Sequence, residues 1–315
     1  MMDSGAPTVV AGAELTKGLL PYPALISHIA DLLQSRGISV PTRHIYSTSE
    51  SNRFFVMPAF DEEVCVTKLI THAPNNPSLN LPAIVGQVAV FDSKSGLCKL
   101  ILDGPTVTAK RTAAVTGLFL KLSRPSPPQH CLIVGAGVQG HAHAEMLIET
   151  IKPKRITVVS KSTASAHRLV DRIEALGVTG FAHATHPSTL DEYDLIITCT
   201  PAQQVVMSAH PRRDAIICAI GAYTPKMIEW DPKVVRKISE SGYIFVDSRD
   251  ADHEAGDLLQ AGLNPTLYPC LADLAPGREL TNVQDGRGPI FFKSCGWGGW
   301  DLAAAKCATA QLDEN

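Results

Sequence analysis

The chain has little charge and few aromatic side chains, and it lacks the long apolar and basic stretches that mark several classes of protein. Of its 315 residues, 19% are charged and 6% aromatic, and 31 acids against 28 bases give a net charge of −3. Without a basic excess, nucleic acid and anionic membranes are not expected partners. No apolar run approaches the ~18 residues of a membrane-spanning helix. The first residues lack the basic and apolar regions of a secretory signal, so a cytoplasmic protein is expected.

Clustered metal ligands are also missing. The eight cysteines and eleven histidines are scattered, and no C-x-x-C pair occurs. A zinc site requires clustered ligands, so we expect no metal. Cys65 and Cys218 lie inside apolar runs, where a free thiol behaves as a small buried hydrophobic group. His141 and His143 are two residues apart and so point to different faces of a helix, which suggests surface or hydrogen-bonded residues.

Length and composition predict about two domains. Apolar residues make up 45% of the chain, an ordinary globular value that excludes disorder for most of it. A polar, proline-rich stretch at 123–128 separates two patterns. Before it, a helical stretch (22–36) and four closely spaced strand candidates predict an α+β unit with an antiparallel or mixed sheet. The strand candidates are 52–60, 63–72, 82–91 and 97–102, with a hairpin turn at 92–96. A helix follows, with Thr106 as its expected N-cap.

Beyond the proline-rich stretch, short apolar runs alternate with helical patterns. This alternation is typical of a parallel sheet covered by helices on both faces. The expected strands are 131–134, 155–160, 195–197, 215–220 and 243–246, and the expected helices are 141–150 and 164–176. The fold class is therefore predicted to be α/β.

A glycine-rich turn follows the first of these strands. Residues 135–140 read G-x-G-x-x-G, directly after a strand and at the start of a helix, which is the context of a dinucleotide-binding site in a Rossmann-type domain. The helix N-terminus would supply N–H groups and positive potential for the phosphates. A turn that only packs the helix on the sheet is the alternative. The expected cofactor contacts are Gly135, Gly137, Val138, Gln139 and Gly140.

The end of the second strand bears on the choice of cofactor. An NAD site usually has Asp or Glu there to bind the ribose 2′-hydroxyl. This sequence instead has Ser160, Lys161, Ser162 and Thr163, whose hydroxyls and ammonium suit a 2′-phosphate. We expect NADPH, with NADH possible if this is simply a polar loop of low specificity.

Three cations are candidates for binding an anionic substrate. Period-two alternation places Lys68 on the same strand face as Val66 and Ile70, where a lysine either lies at a sheet edge or faces an anion. Arg111 is surrounded by small residues on a predicted helix, which fits either a close ligand or a surface ion pair. Arg43 follows a proline in a loop and has no further local signal.

These residues belong to motifs that resemble the ornithine cyclodeaminase/mu-crystallin family. The matching runs extend over nearly the whole chain and are Met57-Pro58-Ala59, Thr67-Lys68-Leu69, Asp103-Gly104 with Thr106 to Ala114, 135–139, 246–248, 254–257, 292–294 and Asp301 with 303–306. The resemblance implies a substrate-binding and dimerisation domain at 1–122 with 290–315, a Rossmann domain at 123–289, and a homodimer. It also implies roles in binding the substrate carboxylate for Arg43, Lys68 and Arg111, the last two catalytic, and cofactor contacts for Thr112, Cys199, Thr200, Pro201 and Ser294.

One departure from the family pattern bears on the chemistry. Cyclodeaminases of the family have an aspartate in a G-G-D-x-P segment, and this sequence has Tyr223 in that place, within 221–225. Tyr223 would face the substrate or pack in the core. The resemblance therefore favours an NAD(P)H-dependent reductase of small cyclic imino acids, Δ1-pyrroline-2-carboxylate and Δ1-piperideine-2-carboxylate. The alternatives are an ornithine cyclodeaminase, an alanine dehydrogenase-like enzyme and a non-catalytic nucleotide-binding protein.

Overall fold

The computed structural model describes residues 7–123, 126–274 and 288–314. In chain order, the first half of the described chain contains β1 (Val9–Ala11), α1 (Ala13–Gly18), α2 (Tyr22–Gln34), β2 (His44–Ser47), β3 (Arg53–Phe60), β4 (Val64–His72), β5 (Ile84–Asp92), β6 (Cys98–Asp103), α3 (Gly104–Ser123), β7 (His130–Val134) and α4 (Val138–Thr150). It continues with β8 (Arg155–Val159), α5 (Thr163–Ala175), β9 (Thr179–His183), β10 (Leu195–Thr198), β11 (Ile216–Ala219), α6 (Pro232–Ser241), β12 (Tyr243–Val246), α7 (Ala251–Glu254), α8 (Gly256–Gln260), β13 (Ile290–Lys293) and α9 (Gly298–Asp313).

The chain divides into two compact units. Unit 1 comprises Met1–Ala114 with Gly298–Asn315, and unit 2 comprises Val115–Trp297. Both boundaries differ from the expected ranges of 1–122 with 290–315 and 123–289. The first boundary falls inside α3. The second lies after β13, because this strand hydrogen-bonds to β11 on one side and β12 on the other, within the sheet of unit 2.

Unit 1 is built on a six-stranded sheet in the order β1-β6-β5-β4-β3-β2. The sheet is mixed, because β1 runs parallel to β6 while the other neighbours are antiparallel. Helix α9 packs on it against β3 and β4, and also against α2. Along β4 the buried side chains are Val66, Lys68 and Ile70, so the predicted alternation is confirmed.

The start of α3 differs from the expectation. Thr106 does not cap the helix, because α3 already begins at Gly104. Asp103 does so instead: its Oδ2 accepts hydrogen bonds from the backbone N–H of Thr106 at 2.9 Å and from the Thr106 hydroxyl at 2.6 Å. A carboxylate at this position also interacts favourably with the positive end of the helix dipole.

Unit 2 contains a seven-stranded sheet in the order β12-β13-β11-β10-β7-β8-β9. Every pairing in it is parallel, so the unit is a Rossmann-type α/β domain, as expected. The strands β7, β10, β11 and β13 are almost entirely buried, which accounts for their continuous apolar sequences. Two strands, β9 and β13, are additional to those expected.

The order of the strands locates the ligand-binding edge of this sheet. From β7 the chain moves outward to β8 and β9, and then returns to the other side of β7 at β10. Ligands in such sheets bind beyond the carboxyl ends of the strands, at the point where the order reverses. That point lies between β7 and β10.

Within the described residues, no helix combines the length and apolar character needed to cross a membrane.

Candidate active site

The glycine-rich turn of unit 2 connects β7 to α4 at this reversal point. Gly135 has a φ of +112°, a conformation that side chains rarely adopt, and a Cβ there would lie 2.7 Å from the Cys199 carbonyl oxygen. A Cβ on Gly140 would lie 2.1 Å from the Gly135 carbonyl oxygen. At Gly137, by contrast, a Cβ would meet no atom of the described residues within 4 Å. Packing therefore requires glycine at 135 and 140, whereas at Gly137 it leaves open space in front of the first turn of α4.

Neighbouring positions in α4 have distinct environments. Val138 is exposed. Gln139 is half-buried, and its Oε1 is buried without a hydrogen-bond partner in the part of the chain that the structure describes. His143 is fully buried, and its ring nitrogens contact the Gln139 carbonyl at 2.8 Å and the Thr116 hydroxyl at 3.0 Å. Burial lowers the pKa of His143 to about 4, so this ring is neutral at physiological pH. It is a hydrogen-bonded core residue, one of the two expected alternatives.

The loop after β10 packs directly on the glycine-rich turn. The Cys199 thiol lies 3.4 Å from the carbonyl oxygens of both Val134 and Gly135. Cys199 and Thr200 are half-buried, and Pro201 is exposed. Burial raises the pKa of the Cys199 thiol, so it remains protonated. Cys199 therefore packs on the glycine-rich turn at Gly135 rather than forming a reactive thiolate site.

A buried carboxylate fixes this loop and the next one. Glu229, which is fully buried, accepts hydrogen bonds from the Thr200 N–H at 2.7 Å and hydroxyl at 2.9 Å, from the Thr198 hydroxyl at 3.0 Å and from the Gly221 N–H at 2.8 Å. One side chain thus joins the carboxyl ends of β10 and β11. Burial raises the pKa of Glu229, against the opposing effect of Lys293.

Two further charged residues complete this cluster, which we call the Glu229 cluster (Glu229, Asp257 and Lys293). Asp257 accepts hydrogen bonds from the backbone N–H groups of Glu229 and Trp230, and its other oxygen lies 3.1 Å from Lys293 Nζ. Lys293 also donates to the Ala219 carbonyl at 2.9 Å. Although burial lowers the pKa of Lys293, the neighbouring carboxylates outweigh it and hold that pKa above its usual value.

A second carboxylate organises the end of β13. Ser294 is buried, and its hydroxyl donates to Asp247 Oδ2 at 2.8 Å. The same aspartate accepts from the N–H groups of Cys295 and Gly296. Ser294 is therefore held at the carboxyl edge of the sheet by a hydrogen bond within the protein.

Tyr223, in the loop after β11, is 46% exposed, which excludes the alternative that it packs in the core.

The loop after β8 leads into the N-terminus of α5. Ser160 is half-buried, and Lys161, Ser162 and Thr163 are exposed. Ser162 is the N-cap, because its hydroxyl oxygen accepts the Ser165 N–H at 3.2 Å. One turn further along the helix, a guanidinium nitrogen of Arg168 lies 2.8 Å from the Ser165 hydroxyl. The loop and the start of α5 thus bring together hydroxyl groups, the cations Lys161 and Arg168, and the first N–H groups of the helix.

In unit 1, two buried cations share one buried carboxylate; we call this group the Lys68 cluster (Lys68, Arg111 and Asp301). Lys68 Nζ lies 2.7 Å from one oxygen of Asp301, and Arg111 Nε lies 3.5 Å from the other. The three residues are 2%, 6% and 0% exposed. At 3.5 Å the Arg111 contact is too long for a good hydrogen bond, and Nε has no other partner among the described residues.

The Lys68 cluster contains more positive than negative charge, with two cations and one carboxylate. Burial lowers the pKa of Lys68 from 10.5 to about 8; Asp301 raises it, while Arg111 and Arg43 lower it. The half-buried Arg43 therefore acts electrostatically on the same lysine. Thr112, next to Arg111, is buried, and its hydroxyl donates to the Thr108 carbonyl at 2.7 Å. Three cations around one carboxylate make a site suited to an anion.

Three residues of these sites were not expected from the sequence. Asp301 was recognised only as part of a motif, and Glu229 and Arg168 were not singled out. The one signal for Asp301 is an acid directly before the apolar, alanine-rich stretch of α9, where an unpaired charge would be costly. Glu229 lies between the apolar residues Ile228 and Trp230, Arg168 lies in ordinary polar sequence, and only their contacts distinguish them.

A parallel-sheet domain with a glycine-rich turn at its reversal point defines a Rossmann-type α/β protein, to which unit 1 adds a buried cluster of two cations and one carboxylate. The sequence profile of the ornithine cyclodeaminase/mu-crystallin family matches residues 21–314. The chain therefore belongs to the ornithine cyclodeaminase/mu-crystallin family.

Individual relatives extend this comparison. A Δ1-pyrroline-2-carboxylate/Δ1-piperideine-2-carboxylate reductase of Azospirillum brasilense is 32% identical, covering 99% of this chain and 98% of that protein. The structure of a Thermococcus litoralis Δ1-pyrroline-2-carboxylate reductase in complex with NADH and L-proline has a TM-score of 0.85 at 21% identity, over 98% of both chains. An archaeal alanine dehydrogenase dimer with bound NAD has the same TM-score at 20% identity, over 98% of this chain and 97% of that one. The fold alone therefore does not decide the activity.

Proposed function

We propose that the protein is an NAD(P)H-dependent reductase of cyclic ketimines, which converts Δ1-pyrroline-2-carboxylate to L-proline and Δ1-piperideine-2-carboxylate to L-pipecolate. The observation that carries this proposal is the Lys68 cluster, in which the two buried cations Lys68 and Arg111 exceed the charge of Asp301. The reductase from Azospirillum brasilense, which is 32% identical over nearly the full length of both chains, supports the choice of substrates.

The surroundings of Lys68 fit the rest of such a substrate. Register pairs Met57 with Lys68 and Phe55 with Ile70 across β3 and β4, so these four side chains share one sheet face. In the proposed complex the cations bind the carboxylate of the imino acid, and the apolar neighbours contact its ring. An additional methylene in such a pocket changes the free energy of binding by only about 1–3 kcal/mol, so both ring sizes are substrates.

The glycine-rich turn of unit 2 fits a dinucleotide. The open space at Gly137, in front of the first turn of α4, accommodates a pyrophosphate against backbone N–H groups. Thr112, the segment 135–140, the segment 199–201 and Ser294 are the proposed contacts. When bound, the reduced nicotinamide supplies a hydride to the imine carbon. The chain's own residues bind and orient the substrate, and its protonated imine nitrogen accepts the electron pair of the C=N bond.

NADPH is the proposed coenzyme, with NADH as the weaker alternative. The loop after β8 carries no acid that would repel a 2′-phosphate, and Ser160, Lys161 and Ser162 offer hydroxyls and a cation. Arg168 adds a second cation near the N-terminus of α5, through its contact with Ser165. These groups form the proposed 2′-phosphate site.

A cytoplasmic homodimer is the proposed assembly. The face of the unit 1 sheet opposite Lys68 exposes Val10, Leu69 and Val85, which are 66%, 37% and 49% accessible. A second copy of this face is its proposed partner, since exposed apolar patches on one sheet face are typical of interfaces. All eight cysteines are free, which fits a reducing compartment.

The test is an assay of nicotinamide absorbance with four substrates in parallel. The purified protein is incubated with either cyclic imine or with pyruvate and ammonia, each with NADPH and with NADH, and with ornithine together with the oxidised coenzyme NAD+. We expect oxidation of NADPH with both imines, at a higher kcat/KM than with NADH. Release of ammonia from ornithine without imine reduction would instead identify a cyclodeaminase. Nucleotide binding without turnover in any well would identify a binding protein.

A further inference from the structure

Asp301 occupies an unusual position for an acidic side chain. It is fully buried in the first turn of α9, and its two oxygens face Lys68 Nζ at 2.7 Å and Arg111 Nε at 3.5 Å. An aspartate among cations would compete with a substrate carboxylate for the same charges. A site selected only for anion affinity would therefore lack it, so its presence requires a reason.

The reason lies in the cost of keeping Lys68 charged. Lys68 is on β4 and almost completely buried, with Arg111 on α3 and Arg43 before β2 as the neighbouring cations. Burial and two like charges all favour loss of its proton. Asp301, on α9, is the neighbouring charge that opposes them, and a direct contact at 2.7 Å makes this opposition strong.

We propose that Asp301 is a positioning residue that keeps Lys68 in its cationic form beside Arg111, and thereby sets the alkaline limit of carboxylate binding. This inference rests on the proposed function only in taking the substrate to be a carboxylate. Asp301 contacts neither substrate nor cofactor in this account; it acts through Lys68.

Protonation of Lys68 supports the same conclusion. With Asp301 present, its pKa is about 8, so the ammonium is present at neutral pH and is lost as the pH rises above 8. Asp301 raises this pKa; therefore its removal lowers it, and the ammonium is lost at a lower pH. Opposite charges in contact typically change a pKa by about 1–3 units.

The effect of removing Asp301 on carboxylate affinity distinguishes this role from simple charge competition. If Asp301 only neutralised the cations, Asp301→Asn would bind carboxylates more tightly at every pH. In our account it binds at least as tightly at the acidic end, where Lys68 is protonated in both proteins. It binds about fivefold or more weakly at pH 8, because a fall of one unit from a pKa of about 8 reduces the charged fraction at that pH by about fivefold, and a larger fall reduces it further. The two binding curves therefore cross.

The experiment measures the Kd of pyrrole-2-carboxylate, a flat five-membered ring with a carboxylate, by calorimetry from pH 5.5 to 9. Because this readout needs no turnover, it remains informative if imine reduction is not found. The full-length wild-type protein and Asp301→Asn are compared, and the affinity for NADPH is followed by fluorescence. We expect crossing curves and unchanged NADPH affinity. Parallel curves, or tighter binding by the variant throughout, would overturn the proposal.

Asp61→Asn is the matched control. Asp61 is a half-buried carboxylate that forms an ion pair with Lys306, a residue on the same helix, α9, as Asp301. Its removal should leave the pH dependence unchanged. If Asp301→Asn does not fold, Asp301→Glu decides the question, because it keeps the charge but displaces it by one methylene. We expect it to weaken binding while retaining an alkaline limit within about one unit of the wild type; a limit shifted further would contradict the role of the charge.

Discussion

The two buried charge clusters of this protein differ in how completely their charges are satisfied. In the Glu229 cluster the carboxylate accepts hydrogen bonds from two N–H groups and two hydroxyls, and Lys293 contacts both Asp257 and a backbone carbonyl. In the Lys68 cluster two cations share Asp301, and Arg111 Nε and both Asp301 oxygens lack a hydrogen bond of good geometry within the described chain, whereas in the Glu229 cluster this is true of Asp257 Oδ2 alone. Both clusters are buried, so burial alone does not distinguish them.

This difference distinguishes a buried charge with a structural role from one that can bind a ligand. A buried charge whose partners are complete stabilises one arrangement of the loops around it, and nothing is gained when a ligand arrives. A buried charge with incomplete partners is costly in the free protein, and an incoming ion of opposite sign removes that cost. The Glu229 cluster therefore belongs to the architecture of unit 2, and the difference supports the proposal that the Lys68 cluster recognises the substrate.

Removal of a charge from the Glu229 cluster should have the largest effect, and it should be on folding. Lys293→Met leaves Asp257 and Glu229 buried without a cation, which we expect to lower the free energy of unfolding by about 3–5 kcal/mol. Urea denaturation followed by fluorescence measures this loss. Lys237→Met, on the exposed side of α6, is the control and should change stability by no more than about 0.5 kcal/mol. A Lys293→Met protein with the same free energy of unfolding as the wild type would contradict the structural role of the Glu229 cluster.

Removal of a cation from the Lys68 cluster should affect catalysis instead. Arg111→Met deletes an incompletely paired guanidinium, so stability should be unchanged or slightly increased. The kcat/KM for Δ1-pyrroline-2-carboxylate should fall about 10²–10³-fold, because truncation of a buried charge that pairs with a ligand costs about 2–5 kcal/mol.

Lys110→Met is the control for Arg111→Met. Lys110 is the adjacent cation on α3, and its ammonium lies 3.7 Å from the centre of the Tyr22 ring. Its loss should leave kcat/KM within a few-fold of the wild type. An Arg111 variant with severely reduced stability and normal kcat/KM would reverse our assignment of the two clusters.

The smallest expected effect concerns the coenzyme. Lys161 is exposed, so its interaction with a 2′-phosphate is partly screened by water. Lys161→Ala should raise the KM for NADPH about 5- to 10-fold, corresponding to about 1 kcal/mol, and leave that for NADH unchanged. The control Lys154→Ala, an exposed lysine before β8, should alter neither value. Equal changes for both coenzymes would argue against a 2′-phosphate site.

Local sequence patterns predicted much of the fold, because local periodicity reports burial. Alternation along β4 placed Lys68 on the buried face, and the apolar runs of β7, β10 and β11 predicted a parallel sheet. The edge strand β9 was missed because four of its five residues are at least partly exposed and it contains no continuous apolar run. The place of β13 was missed because a strand's neighbours depend on long-range pairing, and it inserts between β11 and β12.

The candidate sites were predictable to the extent that each residue carries a local signal. The glycine-rich turn has one, and Lys68 is conspicuous as a cation on an apolar strand face. Asp301 and Glu229 have almost none, since their importance comes from partners far away along the chain. Sequence analysis thus found the groups expected to touch ligands more readily than the groups that hold those residues in place.

The most direct test of the central claim compares two substrates that differ only in the carboxylate. Reduction of Δ1-pyrroline-2-carboxylate and of 1-pyrroline by NADPH is measured with the wild type and with Arg111→Met. If the Lys68 cluster binds the carboxylate, the wild type should prefer the carboxylated imine by at least about 10²-fold, and the variant should lose most of that preference. A preference that survives unchanged in the variant would contradict the assignment of this cluster to substrate recognition.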